Sequence, residues 1–199
     1  MVHGSAPVKS SWYVRGVSSH RVNVLGASGV GKSTLAARLA ERLGVPHFDG
    51  DDYYHLPTDP PFREQRSPEE RCALLERDLA GLDGWTLSGG VATWTPAPRI
   101  RTTLLVFLWL PPAIRLARLE RRERERYGAR ILPGGDMAED LAAFLAWTRG
   151  YEDGTAEGTN TRPLHEEAVR RARCPVLRLE GEIGEEEAVG RVLEVLGVR

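Results

Sequence analysis

The sequence predicts a three-layer α/β/α domain built around a five-stranded parallel sheet, and three observations carry that expectation. Short apolar runs alternate with helical stretches through residues 21–199, the pattern of stacked βα units. One of these runs, Leu104-Leu105-Val106-Phe107-Leu108-Trp109-Leu110, is continuously apolar, as a parallel strand covered on both faces requires. A glycine-rich stretch, Gly26-Ala27-Ser28-Gly29-Val30-Gly31-Lys32-Ser33, joins an apolar run to an amphipathic helix.

The strands expected are Val22 to Leu25, Val45 to Phe48, Trp85 to Leu87, Leu104 to Leu110 and Val176 to Leu179. The first helix follows the glycine-rich stretch and gathers Leu35, Leu39 and Leu43 on one face. Ser67-Pro68-Glu69-Glu70 combines an N-cap serine, a proline at the first helical position and a capping-box glutamate, so a helix is expected from there to about Leu82, with Gly84 just beyond. Asp136 and Glu139 mark another start, before Leu141, Phe144, Leu145 and Trp147 at helical spacing. The last helix runs from about Glu185, acidic residues at the positive end of its dipole, to Leu196 before Gly197. Residues 1–20 carry no sustained period and read as either a flexible arm or an early strand near Trp12 to Val17.

A chain of 199 residues with 41% hydrophobic and 28% charged residues is an ordinary globular composition and suits one domain, here residues 21–199. The formal charge of −1 offers no general attraction to nucleic acid. No apolar run reaches the roughly 20 residues that span a bilayer, and no basic segment followed by an apolar core opens the chain. Cys72 and Cys174 lie far apart without metal-ligand neighbours. The expectation is a cytoplasmic protein, monomer or homodimer, with neither a nucleic-acid nor a membrane partner.

The spacing G-x-x-x-x-G-K-[ST] wraps backbone N–H groups around phosphate, sets a lysine on the β and γ oxygens and offers a hydroxyl to Mg²⁺. The donor site for ATP is therefore expected at Gly26, Ala27, Ser28, Gly29, Val30, Gly31, Lys32, Ser33 and Thr34. Motor ATPases and GTPases end a later buried strand in an acid. Here the third strand runs into Ser88-Gly89-Gly90 and the fourth into Pro111-Pro112. The acids gather instead after the second strand, in Asp49-Gly50-Asp51-Asp52-Tyr53-Tyr54, at the sheet edge where open α/β sheets bind ligands. One of them is expected to complete the Mg²⁺ shell, Asp49 with Ser33 in this reading, and Asp51 to orient or deprotonate an acceptor hydroxyl.

The phosphate loop, the Asp49-x-Asp51 step and the Ser88-Gly89-Gly90 turn resemble those of the shikimate and gluconate kinase group, whose architecture nucleoside monophosphate kinases share. Asp51-Asp52-Tyr53-Tyr54 is also similar to the acidic-aromatic step of uridine kinases. The resemblance implies a P-loop NTPase fold with strand order 2-3-1-4-5, and an acceptor site at Asp49, Asp51, Asp52, Tyr53, Gly89 and Gly90. The long insert from His55 to Arg66 departs from the shikimate kinase pattern, so that acceptor does not carry over.

After Pro111-Pro112 come Arg115, Arg118, Arg121, Arg122, Arg124, Arg126 and Arg130, interleaved with glutamates. Arg118, Arg122 and Arg126 repeat at i,i+4, a like-charge stripe that an anion would relieve. Phosphoryl transfer needs such groups, and the resemblance implies a short arginine-rich lid over about residues 118–136 that closes on the triphosphate. Arg118, Arg122 and Arg126 join Lys32 and Asp51 as the expected catalytic set. His55 and His165 read as bland, and Trp94 as packing. The sum is ATP·Mg²⁺-dependent phosphotransfer to a small hydroxylated acceptor, a nucleoside or nucleotide ahead of another small metabolite. The competing class is a nucleotide-binding switch or ATPase without such an acceptor.

Overall fold

The computed structural model describes residues 19–198. The arm or early strand expected over residues 1–20 lies outside the described residues except for Ser19 and His20, which lead directly into the first strand.

Strands β1 (Arg21–Gly26), β2 (His47–Asp49), β3 (Trp85–Ser88), β4 (Leu104–Trp109) and β5 (Val176–Glu180) form one all-parallel sheet in the order β2-β3-β1-β4-β5. Successive side chains of a strand point to opposite faces, so each apolar run serves two layers. On one face Val22, Val24, Leu104, Val106 and Leu108 pack with α1 (Lys32–Leu43) through Leu35 and Leu39, and with α7 (Glu185–Leu196) through Val189 and Val192. On the other, Trp85 and Leu87 meet Leu75 and Leu79 of α3 (Pro68–Leu79). Leu25, Leu105 and Phe107 meet Ala168 and Val169 of α6 (Arg162–Arg171). No helix among the described residues is long and apolar enough to cross a membrane.

The capping box of α3 forms as written: Ser67 Oγ accepts from the Glu70 N–H, and Glu70 reaches back to the Ser67 N–H. Three boundaries differ from expectation. Helix α3 stops at Leu79 and not Leu82. Val45 belongs to the turn that ends α1, its N–H bonded to the Ala40 carbonyl, so β2 begins at His47. Helix α5 (Ala138–Arg149) starts two residues after Asp136 with Met137 as its uncapped first flank, because Arg130 has taken the Asp136 carboxylate. Helix α6 is an addition; Thr161 caps it and Pro163 opens it, but its apolar residues are too sparse to announce a helix.

Between β2 and α3 lie the one-turn helix α2 (Gly50–Tyr54) and the insert, which closes on itself through a bridge between His55 and Gln65. Helix α4 (Pro112–Tyr127) carries the arginines and passes through a short 3-10 turn, Gly128–Ile131, toward α5.

Candidate active site

The phosphate loop leaves β1 and enters α1 at the carboxyl edge of the sheet. Its middle glycine is required twice over. Gly29 has φ 84°, and a Cβ there would sit 2.8 Å from the Arg115 carbonyl oxygen and 2.7 Å from the Leu119 side chain. Arg115, 1% exposed, braces the loop from α4: Nη2 donates to the Thr148 carbonyl at 3.1 Å and Nη1 to the Ser28 carbonyl at 3.4 Å, with the guanidinium 5.1 Å from the Tyr151 ring centre. Asn160 adds a bond to Ser28 Oγ at 3.3 Å. Lys32 Nζ donates to the Ala27 carbonyl at 2.8 Å.

The acid turn docks beside this loop. Ser33 Oγ donates to Asp49 Oδ2 at 2.7 Å, while Asp49 Oδ1 accepts the Asp51 N–H at 3.1 Å and so caps α2. The Asp49 carboxylate thus caps the turn and meets the phosphate-loop serine at once. Ser88 Oγ donates to Ser33 Oγ at 3.4 Å and lies 3.1 Å from His47 Nε2, which ties β2 and β3 into the same group. Burial pushes the Asp51 carboxyl above the usual aspartate range and the Asp49 charge adds to it, whereas Lys32, His55 and Arg122 pull it back. Burial lowers the Lys32 ammonium, against which Asp51 and Asp49 act. The two charges thus lie near enough to act on each other.

Gly89 and Gly50 bring the acid turn and the glycine turn together. Gly89 has φ 120°, and a Cβ on it would lie 3.3 Å from the Gly50 Cα; one on Gly50 would lie 3.1 Å from the Ser88 carbonyl oxygen. Side chains at either place would separate the acid turn from the glycine turn.

No group of three or more His, Cys, Asp or Glu side chains among the described residues could by itself hold a metal ion. The Ser33 hydroxyl and Asp49 carboxylate are a hard oxygen pair, which fits Mg²⁺: that ion takes few protein ligands and fills its octahedron with water and phosphate oxygens.

The arginine stripe divides. Arg122 stands close enough to act electrically on both Lys32 and Asp51, and bonds Glu123, which is buried. Arg126 lies on the same side of α4, one turn further on, against Tyr127. Arg118 is a correction to the expected set: it pairs with Glu182 at 3.4 Å, beside a surface groove with Ala113, Ile114 and Ala117. The stripe facing the phosphate loop starts at Arg115, seven residues before Arg122, a spacing that stays on one helical face as i,i+4 followed by i+3 does.

Tyr53 is a second correction. It is 8% exposed in the core with Leu75 and Leu87, and its hydroxyl donates to Asp78 at 3.1 Å, so it does not reach an acceptor. His165 is fully buried, with Nδ1 2.9 Å from the Tyr151 hydroxyl and Nε2 beside Gly90. Sequence reading missed Arg115, His47 and Asn160 as contributors, and only the i,i+7 relation of Arg115 to Arg122 carried a signal.

A family of proteins described as AAA domain matches residues 22–142, from β1 into α5, which takes in the phosphate loop, the acid turn, the glycine turn and the arginines of α4 but not Thr148, Tyr151, Asn160 or His165. The chain belongs to that family. This AAA-domain chain is also 43% identical over 175 residues to "Uncharacterized protein YqaC" of Bacillus subtilis (strain 168), covering 88% of the chain and 96% of that relative. Among solved structures it is similar to a gluconokinase from Sinorhizobium meliloti 1021, at 16% identity, TM-score 0.52 and coverage of 90% and 92% of the two chains. A shikimate kinase from Bacteroides thetaiotaomicron aligns at 21% identity and TM-score 0.50, over 90% and 99%. These likenesses show the P-loop α/β fold.

Proposed function

We propose that this chain transfers the γ-phosphoryl group of ATP, as its Mg²⁺ complex, directly to a hydroxyl of a small acceptor held between the acid turn and the glycine turn. The observation that carries the reading is the seating of the acid turn on the phosphate loop, Ser33 Oγ on Asp49 at 2.7 Å with Asp51 within electrostatic reach of Lys32, while β3 ends in Ser88-Gly89 and β4 in Trp109-Leu110. A switch or motor would need its acid at the end of β3 or β4. The gluconokinase and shikimate kinase likenesses support the same class.

In this reading the loop amides and Lys32 hold the donor phosphates, and the oxygen pair of Ser33 and Asp49 holds Mg²⁺, which would neutralise phosphate charge. Asp51 orients the acceptor hydroxyl and takes its proton as the oxygen attacks; the bond from the γ-phosphorus to the bridging oxygen breaks, leaving ADP. Arg122 and Arg126 face the phosphates from α4. The raised carboxyl of Asp51 suits a proton acceptor.

The test is ADP release measured over a panel of nucleosides, nucleotides, shikimate and sugar acids. At least one acceptor is expected to lift turnover well above hydrolysis. Turnover that no acceptor raises would return the chain to the ATPase or switch class.

A further inference from the structure

The buried face of α4 is a stripe of three residues, Arg115, Leu119 and Glu123, spaced four apart. The first two lie on the phosphate loop, where they would collide with any side chain at Gly29. The third is an acid, 6% exposed, one turn further along the same stripe. Glu120 and Glu125 of this helix are exposed.

A buried carboxylate beside a loop shaped for phosphate is out of place on charge alone, since it loses its hydration and repels the ligand. Its partner accounts for it. Arg122 donates from Nε to Glu123 Oε1 at 2.7 Å and from Nη2 to the same oxygen, and among the described residues neither side chain has another ion pair. Sequence adjacency does not produce this bond. Consecutive helical residues point about 100° apart and do not face each other, so the arginine stem has to fold back toward the buried stripe. Its neighbours turn elsewhere: Arg118 pairs with Glu182 and Arg121 with Glu125, all four half-exposed or more. Arg122 alone of the three is held by a buried acid, and its charge reaches both Lys32 and Asp51. With Nε and Nη2 tied, Nη1 keeps two N–H groups without a partner among the described residues.

We propose that Glu123 is a positioning residue of the phosphate site: its buried carboxylate fixes the Arg122 guanidinium through Nε and Nη2 and leaves Nη1 to donate to the terminal phosphoryl group of a bound triphosphate. An arginine held in place beforehand does not have to be ordered when the ligand arrives. The part Arg122 plays in transfer rests on the phosphotransfer reading, but the placement is testable by binding alone.

Calorimetry with Mg²⁺ and either AMP-PNP or ADP makes the test, because the two nucleotides differ by the terminal phosphoryl group. Glu123→Gln keeps the size of the side chain and removes its charge. The ratio of AMP-PNP to ADP affinity is expected to fall about tenfold, with ADP affinity itself within about twofold of the parent. Arg122→Gln should lower the ratio to a similar degree, and adding Glu123→Gln to it should change the ratio by less than about twofold, because the carboxylate acts through the guanidinium. Where an acceptor supports turnover, kcat should fall about tenfold in Glu123→Gln while the KM of the acceptor stays within about twofold. An unchanged or raised ratio in Glu123→Gln overturns the proposal, as do two effects that multiply in the double variant, or a parent that binds neither nucleotide. If Glu123→Gln does not fold, Arg122→Lys decides. A lysine keeps the charge but has no second nitrogen to present once the first is on the carboxylate, so most of the ratio should be lost; a ratio like that of the parent would show that Glu123 places nothing. The two readings separate. A ratio that depends on Glu123 with no ADP release from any acceptor leaves the placement standing and removes the kinase; acceptor-dependent turnover indifferent to Glu123→Gln does the reverse.

Discussion

The proposed donor half and the proposed acceptor half of the site are built differently. The donor half is one continuous segment, Gly26 to Ser33, clamped from behind by a buried arginine on α4 and seated on a sheet whose central strands are almost fully covered. The acceptor half is assembled from the acid turn, the glycine turn, α3 and α6, and its outer boundary is held by exposed ion pairs: Arg63 with Asp140, and Arg130 with Asp59 and Asp136. A triphosphate has one shape and needs one rigid cradle. An acceptor must enter and be enclosed, and partners held by surface charges, individually worth up to about 1 kcal/mol, exchange readily.

If that contrast is right, lesions in the donor half should be severe and those at the outer boundary mild. The largest effect is expected for Lys32→Ala, a loss in kcat on the order of 10³-fold with ordinary folding, since the charge opposite Asp51 acts in the transition state. Steady-state kinetics on the best acceptor reads it; a loss below tenfold would remove Lys32 from the chemistry. Next comes Arg115→Met. It removes the buried guanidinium's bonds to the Thr148 and Ser28 carbonyls and loosens the loop, so a drop of about 2–4 kcal/mol in urea-denaturation stability is expected, with weaker ATP binding. An unchanged stability would mean the brace is incidental.

His165 tests where the two halves meet, since it touches Tyr151 on one side and Gly90 on the other. Burial, with a contribution from the Lys32 charge, pushes its imidazole from 6.5 down to about 3. The fold keeps it neutral while the unfolded chain takes up a proton below about 6.5, so stability is full above that pH and falls as pH drops toward 3. The slope is at most about 1.4 kcal/mol per pH unit, or about 2 kcal/mol between pH 6.5 and 5. His165→Gln should flatten this part of the profile relative to the parent; parallel curves would show that the histidine does not couple to folding. The smallest effect belongs to Arg63→Ala, less than about 1 kcal/mol in stability, because both partners of the pair are about half exposed. A comparable or larger shift would mean the insert and α5 are locked and not merely latched.

The phosphate loop was legible because its chemistry is local: eight consecutive residues supply turn, charge and hydroxyl, and the flanking strand and helix declare themselves by period. The capping box of α3 was legible for the same reason. Asp49 and Asp51 were half legible, since type and position marked them but Asp49 also had a turn to cap. Tyr53 and Arg118 misled, because adjacency to a functional residue says nothing about which way a side chain points on a one-turn helix or at the flank of a long one. Arg115 was hidden inside a run of seven arginines, where only the packing distinguishes the buried one.

The sequence by itself determined the parallel α/β sheet, the donor loop with its lysine and serine, and the gathering of acids at the carboxyl edge, since each is written in neighbours within a few residues. Tertiary structure alone decided that Gly50 and Gly89 meet, and that it is Arg122 whose charge reaches Lys32 while Arg118 pairs with Glu182. Those relations join segments tens of residues apart, and burial and pairing are properties of the folded neighbourhood that no local pattern encodes.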